Sequence, residues 1–220
     1  MPRVEWARMR RIIELGLPAA LQTTLEVGVF AAATALAGQL DAPSLAAHQI
    51  ALQVSALTFV VTLGIGVAGG VLVGHALGAD QPDEARRRGW IAILMGLGFM
   101  ACASLMLLVA RNGIVSTFTP DPEVLETGAT LLLIVAAFQL PDGLQAVTTG
   151  NLRGLGDTRT PMFSNLAGYW LLGLPLGHVL CFELGLGVIG LWLGLSAGLV
   201  TISAILLTTW MVRTRRFRSS

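Results

Sequence analysis

Two carboxylic acids interrupt otherwise apolar stretches of the sequence, and they are the residues best placed to do chemistry. Glu26 lies in LQTTLEVGVFAAATALAG, fifteen residues from both Arg11 and Asp41. A helix rising about 1.5 Å per residue would place Glu26 near the centre of a bilayer. A charge there costs about 2.5–3.5 kcal/mol even on the milder insertion scale. We therefore expect Glu26 to face a helix bundle or a water-filled cavity, where it can exchange a proton or hold a cation.

Asp142 is the second deep acid, sixteen residues after Glu126 and eleven before Arg153. The preceding Pro141 removes one helix hydrogen bond and frees a carbonyl one turn earlier. A carboxylate beside such a helix favours a cation or proton site. The alternative is that Glu26 and Asp142 only make structural hydrogen bonds to neighbouring helices.

Polar and aromatic side chains accompany both acids at helical spacing. Gln22 lies one turn before Glu26. Phe138 lies one turn before Asp142, and Gln145 lies three residues after it. Residues spaced in this way share a helix face. The sequence therefore predicts two helices that each carry an acid with an amide nearby, and Phe138, Gln22 and Gln145 are candidates for the wall of the site.

The three histidines do not form a metal set. His48 and His178 are predicted near one set of helix ends and His75 near the other. Without Cys or His at ligand spacing, we predict no transition metal and no cofactor. His48, followed by Gln49 and Gln53, could line a pathway or make a structural hydrogen bond.

The elements that carry these residues are predicted to be membrane spans. Of the 220 residues, 54% are hydrophobic and only 12% are charged, against about 25% charged in a typical soluble domain. Six apolar runs can cross about 30 Å of hydrocarbon, at about 12–38, 46–77, 90–110, 127–150, 161–181 and 187–212. We predict an all-α membrane protein with one six-helix domain over residues 1–220.

The arginines predict the orientation of these spans. All fourteen basic residues are Arg, and only Arg111 lies in a loop opposite the others. Such an asymmetry predicts that both termini of a multi-pass inner-membrane protein are cytoplasmic. The thirteen on the cytoplasmic side are Arg3, Arg8, Arg10, Arg11, Arg86, Arg87, Arg88, Arg153, Arg159, Arg213, Arg215, Arg216 and Arg218.

Two glycine stripes recur at four-residue spacing within predicted spans. They comprise Gly66, Gly70, Gly74 and Gly78, and then Gly190, Gly194 and Gly198. Small residues on one face let another helix approach closely, so we predict a packing role for both stripes.

Enzyme and nucleic-acid functions find no support in the sequence. It holds no G-x-S-x-G, H-E-x-x-H or Walker A pattern, so we predict that the chain is not an enzyme. A formal net charge of +1 gives no indication of nucleic-acid binding. Without an ATP site, uphill transport would need an ion gradient or a partner ATPase.

Four stretches resemble the multidrug and toxic compound extrusion (MATE) family. They are AAHQIAL (46–52), VGHALGADQPDEARR (73–87), GNLRGLGDTRTPM (150–162) and YWLLGLPLG (169–177). In family members they occupy the carboxyl-terminal lobe, helices seven to twelve. The resemblance implies a secondary active multidrug antiporter that exports cationic or amphipathic compounds in exchange for H⁺ or Na⁺.

The resemblance also implies roles for the deep acids. Glu26 matches the acid on the family's seventh helix, and Asp142 matches the acid on its tenth. These acids are implicated in cation binding in sodium-coupled members, so Na⁺ is possible at Glu26 and Asp142. Those members carry Tyr where this chain has Phe138, whose ring still offers a cation–π face but no hydroxyl. The coupling ion therefore stays open between H⁺ and Na⁺.

The family has two lobes, and this chain has the length of one. Alternating access needs two bodies that rock against each other. We therefore expect a second six-helix lobe as partner, besides membrane lipids and a small-molecule substrate. A fragment or one half of a hetero-pair is expected ahead of a homodimer. The alternatives are a lipid-linked precursor flippase of the same superfamily and a non-transporting fragment or interaction protein.

Overall fold

The structure is a computed structural model that describes residues 6–215, apart from the side chains of Ala7 and Arg8. Within that range the regular elements are all helical, and six helices are long and apolar enough to cross a membrane. They are α1 (Trp6–Ala37), α2 (Ala42–Gly78), α3 (Pro82–Ser116), α4 (Pro122–Gly154), α5 (Arg159–Glu183) and α6 (Gly187–Arg215). The predicted all-α class and the six spans are confirmed. Arg3, Arg216 and Arg218 of the orientation pattern lie outside the described residues, and the orientation itself stays a prediction.

The helices extend further than the apolar runs that predicted them. The predicted spans leave residues 111–126 as a connection. In the structure α3 continues to Ser116 and α4 begins at Pro122, so the connection is only 117–121. At its other end α3 includes Arg86, Arg87 and Arg88, and Arg88 Nε donates to Glu84 Oε1 at 2.9 Å. Apolar runs mark the part of a helix suited to hydrocarbon, whereas i,i+4 ion pairs support its polar ends.

Aspartate caps start two of the helices. Asp41 Oδ1 accepts from the Ser44 amide at 2.7 Å before α2, and this hydrogen bond lowers the pKa of the Asp41 carboxyl below its ordinary value. Asp121 Oδ1 accepts from the Glu123 amide at 2.9 Å before α4. Pro122 suits the first turn because its missing N–H would have no partner there. Asp121 and Pro122 therefore form the start of α4.

α5 is the irregular helix of the set. It is π-helical over Leu166–Gly173 and Val179–Glu183, and the Leu174 amide donates to the carbonyl of Tyr169, five residues back. Pro175, which has no N–H to donate, lies between the two π-helical stretches. Hydropathy gives no sign of this irregularity, because π and α turns have the same apolar composition.

α4 lies at the centre of the bundle, in contact with α2, α3 and α6, whereas α1 packs mainly on α5. The contact between α2 and α4 is the α2–α4 glycine seam: Gly66, Gly70 and Gly74 of α2 against Ala146, Gly150 and Gly154 of α4. A Cβ at Gly70 or Gly150 would overlap the opposing backbone carbonyl. The two backbones therefore touch directly, as the stripe predicted.

The second glycine stripe is also a packing surface. Gly190, Gly194 and Gly198 of α6 face the backbone of α5, where a Cβ on Gly194 would overlap Gly177. One member of the first stripe was wrongly predicted. Gly78 ends α2 and has nothing within 4 Å of the position that its Cβ would take.

Candidate cation site

Glu26 lies where α1, α4 and α5 meet. Its Oε1 accepts from Gln145 Nε2 at 3.1 Å, and its Oε2 accepts from Asn165 Nδ2 at 3.3 Å. Gln145 Nε2 also donates to Asn165 Oδ1 at 3.3 Å, so the two amides are hydrogen-bonded to each other as well as to Glu26. The structure thus brings Gln145 to Glu26, whereas the sequence paired it with Asp142 on its own helix. Asn165 was missed, although a buried amide within an apolar span was a signal that could have found it.

Asp142 shares a cavity of about 380 Å³ with Glu26. Its side chain is only 4% exposed, and its Oδ2 has no hydrogen-bond partner. An unpartnered buried carboxylate oxygen is expensive, so it is expected to meet a proton, a cation or water. The two acids predicted as a pair therefore line one cavity, while their role in coupling stays a prediction.

Aromatic rings form much of the remaining wall of this cavity. Phe30, Phe59 and Phe138 all line it. Phe138 is buried, with its ring centroid 5.9 Å from that of Trp192 in an edge-to-face arrangement. Phe138, predicted as a wall residue, thus lines the cavity of the two acids, and its role there stays a prediction. Ring faces beside two acids suit a cation with an apolar body.

The residues fit a proton or a hard cation better than a transition metal. Carboxylate and amide oxygens are hard donors, and the unpartnered Asp142 Oδ2 offers one such oxygen to an ion. Among residues 6–215 no group of three or more His, Cys, Asp or Glu side chains is close enough to hold a metal ion. If Na⁺ binds, Glu26 and Asp142 are the charged residues that would hold it.

A second, smaller cavity of about 140 Å³ continues from Glu26 toward the carboxyl end of α4. Gln22, Gln145, Thr149 and Arg153 line it together with Glu26. Gln22, predicted as a wall residue, is 2% exposed and accepts from Arg153 Nη2 at 2.9 Å. Arg153 was predicted only as part of the orientation pattern, so its inward contact is a finding of the tertiary structure.

His48 makes two structural hydrogen bonds, and one of them is to Thr34, which also lines the cavity of the two acids. The Trp192 indole N–H donates to His48 Nδ1 at 3.1 Å, which leaves the ring proton on Nε2. Nε2–H can then donate to Thr34 Oγ1 at 2.9 Å, because the Thr34 hydroxyl donates to the carbonyl of Phe30. His48 is fully buried, whereas Gln49 and Gln53 are exposed. Of the two alternatives for His48, the structure supports the structural hydrogen bond.

α5 contributes two aromatic residues beside Glu26 that the sequence did not single out. The Trp170 indole donates to the carbonyl of Leu25 at 3.0 Å. Tyr169 is fully buried, its ring meets Phe30 edge to face at 5.8 Å, and its hydroxyl has no hydrogen-bond partner. Together with Asn165, they make α5 a third wall of the site.

Comparison with known proteins finds similar chains. Residues 18–179 match the family model MatE. The chain is 42% identical over 218 residues to the probable multidrug resistance protein NorM of Mesorhizobium japonicum, covering 97% of this chain and 47% of that protein. It is also 42% identical over 211 residues to the multidrug resistance protein NorM of Burkholderia vietnamiensis, covering 94% of this chain and 46% of that protein.

The fold is that of half of a known transporter structure. The crystal structure of the eukaryotic MATE transporter AtDTX14 superposes with a TM-score of 0.87 at 23% identity, covering 99% of this chain and 51% of that one. At this identity the likeness concerns the fold alone. The chain spans about half the length of the curated relatives it matches.

Proposed function

Because the chain belongs to the MatE family, whose members are transporters and not enzymes, we propose that it is one six-helix half of a secondary active multidrug efflux antiporter. It is a multi-pass membrane protein. The proposal places it in the inner membrane with both termini cytoplasmic. It exports cationic or amphipathic compounds in exchange for H⁺ or Na⁺.

The observation that carries this proposal is the pair of acids in one cavity. Glu26 and Asp142 come from different helices and line the same space, and Asp142 Oδ2 has no partner. Ionisable residues kept within a membrane bundle mark ion pathways by default. Arrival and departure of a cation at this pair changes its charge, which can bias the lobe between two states.

The lining of the larger cavity supports a cationic, amphipathic substrate. Its charged residues are the acids Glu26 and Asp142, and its other members are mainly apolar or aromatic. A flippase for a lipid-linked pyrophosphate would need basic groups there. The charge of the cavity therefore favours drug export over that alternative.

The substrate path needs a second lobe as partner. The matched relatives are about twice the length of this chain, and alternating access requires two bodies. A separate six-helix chain is proposed ahead of a second copy of this one.

Reconstitution tests the proposal directly. The chain is placed in liposomes alone and together with the amino-terminal half of a NorM relative, and ethidium efflux is measured under an H⁺ or a Na⁺ gradient. We expect gradient-driven efflux from the pair, and its loss in Glu26→Gln and in Asp142→Asn. Glu183→Gln, at the exposed end of α5, is the matched control and should retain efflux.

Two results would count against the proposal. Unchanged coupled efflux in both acid variants would remove the coupling role of Glu26 and Asp142. No efflux from either preparation, with a monomeric mass in detergent, would favour a non-transporting fragment.

A further inference from the structure

The two cavities form one line along α1, α2 and α4. The larger cavity is bounded by Thr34, Leu52 and Phe138 at its far end, and the smaller one by Leu63 and Arg153 at the other. Three residues line both cavities: Glu26, Val27 and Phe59. Glu26 therefore lies at the junction, and it can be approached from two directions.

The smaller cavity has the properties of a water-filled space. Three buried polar atoms on its lining residues have no hydrogen-bond partner: Gln145 Oε1, Thr149 Oγ1 and Arg153 Nε. Its volume of about 140 Å³ can hold several water molecules, each of which takes about 30 Å³ in the liquid. Buried polar groups of this kind are usually satisfied by ordered water.

At the end of this cavity nearest the carboxyl end of α4, two of its lining side chains are joined by a hydrogen bond. Arg153 Nη2 donates to Gln22 Oε1 at 2.9 Å, which joins the last turn of α4 to α1. Gln22 is one helical turn before Glu26, so the guanidinium is held on the same face of α1 as the acid. Arg153 is the basic residue of this cavity lining.

We propose that Arg153, positioned by Gln22, closes and charges the mouth of a water-filled route between Glu26 and the carboxyl end of α4. This inference rests on the proposed function, because it assigns the route by which cations reach the same acid. A guanidinium stays protonated, and a fixed positive charge at a constriction excludes cations. With this end closed, cations do not reach Glu26 from the carboxyl end of α4. Breaking the Arg153–Gln22 hydrogen bond opens the second direction.

A role of Arg153 in membrane orientation does not require its side chain to point inward. An arginine in the last turn of a helix interacts favourably with the helix dipole even when it points outward. Arg213, near the end of α6, instead pairs at 2.8 Å with Asp157 of the α4–α5 connection. Arg153 turns inward to an amide that is 2% exposed. That contact ties its position to the site.

Thiol labelling of the full chain in vesicles tests the route without requiring transport. Cys102 and Cys181 are first replaced by Ser and Ala, because both are free. Thr149→Cys reports on the smaller cavity and Ser55→Cys on the larger one; the two native residues are matched at 6% and 7% exposure. The probes are a cationic methanethiosulfonate and neutral methyl methanethiosulfonate, added from the side on which α4 ends.

Substitutions of Gln22 and of Arg153 should change the labelling rates in different ways. Gln22→Leu releases the guanidinium, so both probes should label Thr149→Cys about tenfold faster than in the parent. Arg153→Gln can still hydrogen-bond Gln22 but lacks the charge. The labelling rate with the cationic probe should therefore rise about tenfold, and the rate with the neutral probe should hardly change. Ser55→Cys should react at the parent rate in both backgrounds, which also shows that the variants are folded.

Three results would overturn the inference. Unchanged Thr149→Cys rates in both variants would show that the pair closes no route. Equal acceleration of the two probes by Arg153→Gln would show that the charge forms no barrier. A parallel change at Ser55→Cys in Gln22→Leu, and again in Gln22→Met with its side chain of similar length, would show general loosening of the bundle and no opened route. Loss of efflux with the labelling pattern intact would instead count against the proposed function alone.

Discussion

The two sides of α4 are built in opposite ways. Toward α2, the glycine seam brings backbone onto backbone, with no room for a methyl group at Gly70 or Gly150. Toward α1, the same helix presents Asp142, Gln145 and Arg153 to two cavities. Contact there is made by side-chain hydrogen bonds of 2.9–3.1 Å between Arg153 and Gln22 and between Gln145 and Glu26.

The difference separates the fixed part of the lobe from the part that can move. A backbone contact between glycines has one close-packed arrangement, because displacement loses many dispersion contacts at once. A contact made by a few long polar side chains can be broken and remade with water as the substitute partner. We infer that the α2–α4 glycine seam holds the bundle while α1 responds to the charge on Glu26. Three substitutions probe this contrast.

The largest effect is expected at the seam. Gly150→Ala would place a methyl group onto the carbonyl of Gly66, so α2 and α4 must separate, and overpacking of this kind costs about 3 kcal/mol at the upper end of its usual range. Thermal unfolding in detergent measures this loss of stability. Gly98→Ala is the control, since nothing lies within 4 Å of that position and alanine favours the helix. Equal melting temperatures for the two variants would contradict a rigid seam.

A smaller loss of stability is expected at His48, which makes a buried polar contact between α2 and α6. His48→Leu removes the acceptor of the buried Trp192 indole, which should lower stability by about 1–2 kcal/mol. The same unfolding assay checks this, with Gln49→Leu at the neighbouring exposed position as control. If His48→Leu and Gln49→Leu have the same melting temperature, the Trp192–His48 hydrogen bond does not hold α2 and α6 together.

The smallest change in stability is expected at the acid itself. Glu26→Gln removes a carboxylate from the bundle, while the amides of Gln145 and Asn165 can reorient to meet the new amide. We expect the free energy of unfolding to change by less than about 1 kcal/mol, in either direction. Coupled efflux should be lost in this variant, so function and stability separate here. A large destabilisation would instead mean that Glu26 is mainly structural.

Much of the architecture could be predicted from the sequence because the signals are local. The length and apolarity of each run required six helices, and four-residue glycine spacing required close helix contacts. The depths of Glu26 and Asp142 followed from counting residues between polar ends. The bounds were less accurate: α3 and α4 run through most of residues 111–126, since helix hydrogen bonding does not stop where hydrophobicity does.

The sequence by itself thus determined which helices form, and it predicts at what depth each acid lies, because helix period and bilayer thickness convert residue number into height. Only the tertiary structure decided which side chains meet at that height. Asn165 reaches Glu26, Arg153 turns inward to Gln22, and Asp142 keeps an oxygen without a partner. Such pairings depend on the rotation and tilt of each helix, which are fixed by packing against all its neighbours at once. No local pattern in one segment encodes the combined effect of these neighbours on the rotation and tilt of a helix.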